Sequence, residues 1–394
     1  MKNFRFCVSL LIALTLITYP RHAAAQGGNC TSPDGCLQVE TLMPQSVTNP
    51  SASEAPKAGT RAETVPQKAV NGRLKLVDTI TTPTDAPTWF YSPVRCDSDG
   101  DLHLPVEIVE RPVIQKLSPK GERKALFEAS NGPDVKVSAA AWYAIEPGGG
   151  DLYQLILSTR EITGYIFAYK SDGSFKSAVK LQAGFPFSPS RLAVFPSGQF
   201  LVAGEEYDAD RKAMKWPFTG IFAADGTLLK ELKLEDDEVL HDMAASGDWR
   251  VTLPTNSQSN LAIDYGSLEM GDDGNAYLMR WTNPTIFYAI SPGGEVVRRF
   301  TVDPGDTGFR PAAFHMTKGR IAVFYMDRQT GDRLMKIVGS DGQDIATYVA
   351  PRSDIKKNGE IGTSFACYTE DPTRFTFLGA DDNRKLQFLI AEPR

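Results

Sequence analysis

A glycine-marked turn recurs along this chain, each time between two short apolar runs, and it restricts the fold more than any other feature. The copies are Leu117-Ser118-Pro119-Lys120-Gly121-Glu122, Tyr169-Lys170-Ser171-Asp172-Gly173-Ser174, Ala223-Ala224-Asp225-Gly226-Thr227, Ile290-Ser291-Pro292-Gly293-Gly294-Glu295 and Gly339-Ser340-Asp341-Gly342-Gln343. Glycine there supplies the positive φ of a tight hairpin. A second turn precedes each copy, at Asp99-Gly100, Gly149-Gly150, Ser197-Gly198, Asp273-Gly274 and Lys318-Gly319, and leads into an alternating apolar strand such as Phe200-Leu201-Val202-Ala203. The unit is strand A, turn, strand B, loop, strand C, glycine turn, strand D, with a period of about 45–50 residues.

The last unit is incomplete. Ser364–Tyr368, Phe375–Leu378 and Leu386–Ala391 supply strands A, B and C. A fourth strand is available far upstream, in Arg73-Leu74-Lys75-Leu76-Val77-Asp78-Thr79-Ile80. Pairing it with the C-terminal strand removes an exposed sheet edge and closes a ring. The pattern predicts an all-β fold over residues 72–394: a six-bladed β-propeller of four-stranded antiparallel blades, the last blade completed by the N-terminal strand.

The paired turns, as in Asp273-Gly274-Asn275-Ala276-Tyr277 followed by Ile290-Ser291-Pro292-Gly293-Gly294-Glu295, resemble those of six-bladed propellers of the NHL-repeat type. Strictosidine-synthase-like and gluconolactonase-like propellers are similar at a greater distance. The resemblance spans nearly all of residues 72–394 and implies a fold rather than an activity. The chain departs from these families in two ways. It lacks the usual Asp and Asn-x-Arg-Ile segment between strands B and C, and the Glu, Asn and Asp set that ligates calcium in the lactonase branch is not found.

Residues 1–25 read as a signal peptide: Lys2 and Arg5, an apolar run Phe6–Tyr19, then Ala23-Ala24-Ala25 before Gln26. The run is short of the roughly 20 residues that span a bilayer, and no other stretch is apolar enough. A periplasmic or secreted location is expected. Residues 26–71 read as a cysteine loop and a flexible linker. Cys30 and Cys36 flank Pro33-Asp34-Gly35, which suits a small disulfide loop in an oxidising compartment. Losing the cations Lys2, Arg5 and Arg21 takes the net charge from -6 to -9. An acidic surface repels phosphate backbones, so no nucleic acid is expected as a partner.

Strand alternation puts the A–B and C–D turns on one face and the B–C and D–A connections on the other. The long insertion 235–264 and the Glu206–Phe218 connection belong to the second face. So do Trp89, Trp216, Trp249 and Trp281, with Tyr91, Tyr207 and Tyr265 nearby, while Trp142 falls in a strand. Aromatics outside strands suit recognition of a protein, peptide or carbohydrate. Arg191, Asp264 and Arg310 sit near starts of strand A, where they can point toward the central channel and paired arginines can grip a carboxylate or phosphate bidentately. His241 with Asp242 is the one histidine pattern worth testing as a base, His103 and His315 being strand residues, and the run Glu235–Glu238 reads as a solvated acidic segment. Cys96 and Cys367 lie late in strand A of the first and last blades, as either a seam disulfide or two buried thiols.

The expectation is a monomeric binding protein or interaction scaffold, with its ligand on the face of the 235–264 insertion and no cofactor. The alternative is a metal-dependent hydrolase or lactonase with calcium at the channel mouth.

Overall fold

The computed structural model describes residues 70–86, 93–108, 111–131, 135, 137–148, 150–158, 163–207, 214–234, 267–306, 308–327, 329–350 and 364–394. They belong to one compact unit, Val65–Arg394; the other unit, Met1–Thr64, lies outside the described residues. The described chain is almost wholly β. After β1 (Val70–Asp85), the first sheet is β2 (Arg95–Cys96), β3 (Leu102–Ile108), β4 (Arg111–Leu117) and β5 (Arg123–Glu128). The second is β6 (Val137–Ile145), β7 (Leu152–Ser158), β8 (Thr163–Tyr169) and β9 (Phe175–Lys180). The third is β10 (Phe187–Val194), β11 (Phe200–Tyr207), β12 (Met214–Phe222) and β13 (Leu228–Glu231). The fourth is β14 (Ser267–Met270), β15 (Ala276–Arg280), β16 (Thr285–Ile290) and β17 (Val296–Val302). Each of these sheets is an antiparallel meander in chain order.

The remaining strands form one eight-stranded sheet rather than two separate four-stranded ones. They are β18 (Phe309–Thr317), β19 (Arg320–Asp327), β20 (Arg333–Gly339), β21 (Asp344–Ala350), β22 (Ser364–Glu370), β23 (Thr373–Ala380) and β24 (Lys385–Pro393), in the order β18-β19-β20-β21-β1-β24-β23-β22. This corrects the expectation of six separate blades: four four-stranded sheets stand apart, and β1 fuses the rest. The cause is the length of β1. Val70–Arg73 pair in parallel with β21, and from Leu74 onward the same strand pairs antiparallel with β24, Leu74 opposite Pro393 and Ile80 opposite Phe388. The upstream segment does complete the C-terminal sheet.

The arrangement is propeller-like. Inner strands touch in the sequence β6, β10, β14, β18, β22, β2, and the first sheet reaches the second through β4 and β6. Apolar clusters are shared between successive groups of strands. Phe127 packs with Tyr143 and Phe167, Trp142 with Leu192 and Phe222, Leu201 with Leu278 and Tyr288, and Phe287 with Phe314 and Tyr325. Phe324 packs with Phe365 and Phe377, and Leu378 and Phe388 pack with Leu104 and Val113, which returns the series to the first sheet. Inner and middle strands are therefore buried on both faces. Outer strands such as β17 alternate toward solvent, where Val296 and Val297 are exposed.

The repeated turns explain themselves atom by atom. Each of the ten turns carries a glycine of positive φ: Gly100, Gly150, Gly198, Gly274 and Gly319 in the first series, Gly121, Gly173, Gly226, Gly294 and Gly342 in the second. The aspartate before glycine caps its own turn: Asp172 accepts from the Ser174 amide at 2.8 Å, Asp225 from Thr227 at 3.0 Å and Asp341 from Gln343 at 3.0 Å. In the Ser-Pro copies the hydroxyl does the same work, Ser118 accepting from Glu122 and Ser291 from Glu295, both at 3.1 Å.

Glycine in the C–D turn has a second reason. A Cβ on Gly173 would fall 2.4 Å from the carbonyl oxygen of Leu126 in β5, and one on Gly226 2.1 Å from that of Lys180 in β9. Gly294 abuts Leu232 just beyond β13, Gly342 abuts Phe300 in β17, and Gly121 abuts Thr82 in β1. Each C–D turn thus seats on the outer strand of the preceding group, and β1 holds that outer position for the first sheet. Gly274, in an A–B turn, has nothing within 4 Å. Gly226→Ala should therefore lose about 2 kcal/mol more stability than Gly274→Ala, which carries only the left-handed backbone cost of about 1–2 kcal/mol. Urea unfolding of the two variants measures the gap, and equal losses would show that the seating contact is unimportant.

Candidate functional site

Inner strands bring together polar side chains that lie far apart in sequence. Arg95, at the start of β2, is buried. Its guanidinium crosses the centre, Nη1 donating to the Tyr143 carbonyl of β6 at 3.4 Å and Nη2 to the Leu268 carbonyl of β14 at 2.6 Å. A buried guanidinium requires such acceptors, since unpaired donors cost several kcal/mol in a dry interior. The same group lies over the Trp142 ring, 5.0 Å from its centroid. Arg191 of β10 lies over that ring as well, at 4.4 Å, and donates to the Ser190 carbonyl at 2.8 Å. The buried Trp142 Nε1 has no hydrogen-bond partner among the described residues. Burial pushes the Tyr143 phenol well above its usual range, the Arg95 charge opposing and the Glu269 charge adding to that shift.

Beside this lies a second line of groups. Glu269 of β14 holds His315 of β18 through Oε1 and Nδ1 at 2.8 Å. The other imidazole nitrogen, Nε2, faces Cys96 Sγ at 3.7 Å. Cys96 is joined to Cys367 of β22 in a disulfide with a Cα separation of 5.5 Å. Both cysteines are buried, and Glu269 Oε2 is buried without a partner among the described residues.

A third cluster sits at the first A–B turn. Carboxylate oxygens of Asp97, Asp99 and Asp101 lie within 4.8 Å of one another. Lysines already serve this cluster: Lys116 bonds Asp97 at 2.8 Å and reaches Asp101 at 3.3 Å, and Lys124 bonds Asp101 at 2.6 Å. Burial raises the Asp97 carboxyl, but the Lys116 hydrogen bond and charge bring it below its ordinary value; burial lowers Lys116, and Asp97 more than reverses this. Two ammonium groups among three carboxylates make an ion-pair network that disfavours a cation. His103 beside it is almost wholly buried, and that burial lowers it from 6.5 to about 4.

Several expected site residues find different places. Trp216 was expected in a connection, yet β12 begins at Met214 and Trp216 pairs with Glu206 inside the ladder. Trp281 follows β15 and is buried, so it is core material and not an open recognition surface. Arg191 shares Trp142 with Arg95 and not with Arg310, whose Nη1 donates to the Phe309 carbonyl at 3.2 Å and whose charge helps lower Asp327. Trp89, Tyr91, Trp249, Asp264 and Tyr265 lie outside the described residues, as do Cys30, Cys36, His241, Asp242 and the 235–238 acidic run. Arg95 and Glu269 were not singled out from the sequence, and His315 was set aside there as a strand residue. Their signal was present: charged or imidazole side chains set in apolar inner strands, as in Phe314-His315-Met316.

No protein-family model matches the chain, and no curated protein matches it in sequence. Solved structures similar to it include regucalcin, a calcium-binding protein from Agrobacterium tumefaciens, at 14% identity and a TM-score of 0.43, covering 83% of this chain and 97% of that one. Virginiamycin B lyase from Staphylococcus aureus shares 13% identity at a TM-score of 0.41, with 80% and 99% covered. A DUF4221 member from Bacteroides vulgatus shares 9% at 0.44, with 82% and 99% covered. At these identities and scores, no function transfers from them. No helix among the described residues is long and apolar enough to cross a membrane.

Proposed function

We propose that this chain is an exported six-bladed propeller of the NHL-like class that binds an acidic ligand, a peptide or carbohydrate carrying a carboxylate, at the mouth of its central channel. The six-blade reading treats the eight-stranded sheet as two blades joined by β1; the ring of shared apolar clusters and the seating of Gly121 on Thr82 support it. Export rests on the signal-like residues 1–25.

One observation carries the binding reading: two guanidiniums, Arg95 and Arg191, stack on the single indole of Trp142. Arg95 is committed to backbone carbonyls, which holds the platform rigid, and Arg191, half-buried, adds a second cation to the same ring. Two cations gathered on one indole make a positive, planar platform of the kind that suits a carboxylate. The lactonase alternative with calcium finds less support. Among the described inner-strand residues that meet in the channel, the one carboxylate is Glu269, already paired with His315, and the other charges are cationic.

The test is tryptophan fluorescence of the full chain titrated with glucuronate and with a diglutamyl peptide. Saturable quenching is expected. Trp142→Phe should abolish it, Arg191→Ala should weaken the affinity at least tenfold, and added salt should weaken it further. Equal affinity for glucose and glucuronate would overturn the reading. Calcium-dependent stabilisation removed by chelator would favour the alternative.

A further inference from the structure

The geometry points to a thiol–disulfide exchange centre at the ring seam: Cys96–Cys367 is a reversible bond whose opening is assisted by His315, itself held by Glu269. Carboxylate, imidazole and sulfur stand in line, Glu269 Oε1 to His315 Nδ1 at 2.8 Å and His315 Nε2 to Cys96 Sγ at 3.7 Å. A disulfide that served only as a staple needs no acid–base partner, and a buried histidine needs only one acceptor. Here the second ring nitrogen faces a sulfur, and the first fixes the ring through a carboxylate, the arrangement that activates thiols as nucleophiles and leaving groups. The arrangement is also one-sided, since the histidine contact falls on Cys96.

The chemistry balances with a small dithiol as reductant; burial of both cysteines favours a reagent of that size. One thiolate of the dithiol attacks Cys367 Sγ. The bond to Cys96 breaks, and Cys96 leaves with the electron pair and takes the proton carried on His315 Nε2. The second thiolate of the dithiol then attacks its own sulfur in the mixed disulfide, closing a cyclic disulfide and releasing Cys367. The two protons given up by the dithiol reach Cys367 and His315 through solvent. The dithiol is oxidised by two electrons and the protein bond is reduced by two. The centre joins β2 to β22, so its state sets whether the ring is covalently closed.

The experiment treats the full chain with dithiothreitol under native conditions, alkylates with iodoacetamide and follows Cys96 and Cys367 by peptide-resolved mass spectrometry. His315→Gln is expected to slow opening at least tenfold, and Glu269→Gln to slow it by a smaller factor. Unchanged rates in both would overturn the proposal. A second measurement stands even if His315→Gln misfolds: in Cys367→Ser, the remaining Cys96 should be alkylated at neutral pH at least tenfold faster than Cys367 in Cys96→Ser. Equal reactivity of the two thiols would overturn it as well. Neither readout involves the acidic ligand, so the two readings succeed or fail separately.

Discussion

Replacing Cys96 and Cys367 together with alanine should lower the unfolding free energy by about 5 kcal/mol. The bond closes a loop of 271 residues, and the chain-entropy estimate for a loop of that length, about 5 kcal/mol, is near the upper end for a single cross-link. The loss acts on the unfolded chain, which gains freedom once the link is absent. Native contacts at the seam persist, because Leu104 and Val113 still pack with Leu378 and Phe388, and β1 still pairs with β24. The prediction is a fall in urea midpoint with little change in spectroscopic signature of the native state. A loss under about 1 kcal/mol would mean that the unfolded chain is already compact across the seam.

Acidification should destabilise the protein through His103. The sign follows from proton uptake. Burial lowers the folded-state value to about 4 from 6.5, so between these values the unfolded chain binds a proton that the folded chain refuses. Stability is full above pH 6.5, falls as pH drops toward 4 and levels off below it. By pH 4.5 the loss from this residue is about 2–3 kcal/mol. Asp97, held below its ordinary value by Lys116, adds a further loss as pH falls through the carboxylate range. His103→Gln should remove the first component, so that wild type loses about 2–3 kcal/mol more than the variant between pH 7 and 4.5. Parallel losses in urea midpoints at the two pH values would show that His103 takes up its proton without leaving the core.

Much of the fold was legible because glycine carries a local signal. A positive φ is a property of one residue and its neighbours, so both turn series could be read directly, and so could the strands between them. The seating of each C–D glycine on an earlier strand was not legible, because it depends on what lies across a gap of some fifty residues. The same holds for β1. Its pairing with the C-terminal strand followed from the missing edge, whereas its parallel start beside β21 follows from length and register that only the assembled sheet fixes. Trp216 was misplaced because Pro217 and the charged residues around it argue against a strand, yet the long ladder of β11 draws Glu205 opposite Pro217. The channel cluster drew on β2, β6, β10, β14, β18 and β22, one or two side chains from each. No window of sequence contains it.

The position of β1 bears on how the molecule is made. Its residues leave the ribosome some 300 positions before those they join, as the Asp85–Lys385 pair illustrates. Through that interval an alternating apolar strand containing Leu74, Leu76 and Ile80 has no mate, and β5, β9, β13 and β17 form beside turns that cannot yet be linked into a circle. Synthesis therefore delivers an open arc, with a sticky strand at its leading end and an unfilled place at its trailing end, and a second arc nearby could donate its own leader to that place. Slow elongation or crowding during folding should favour such strand exchange over self-closure.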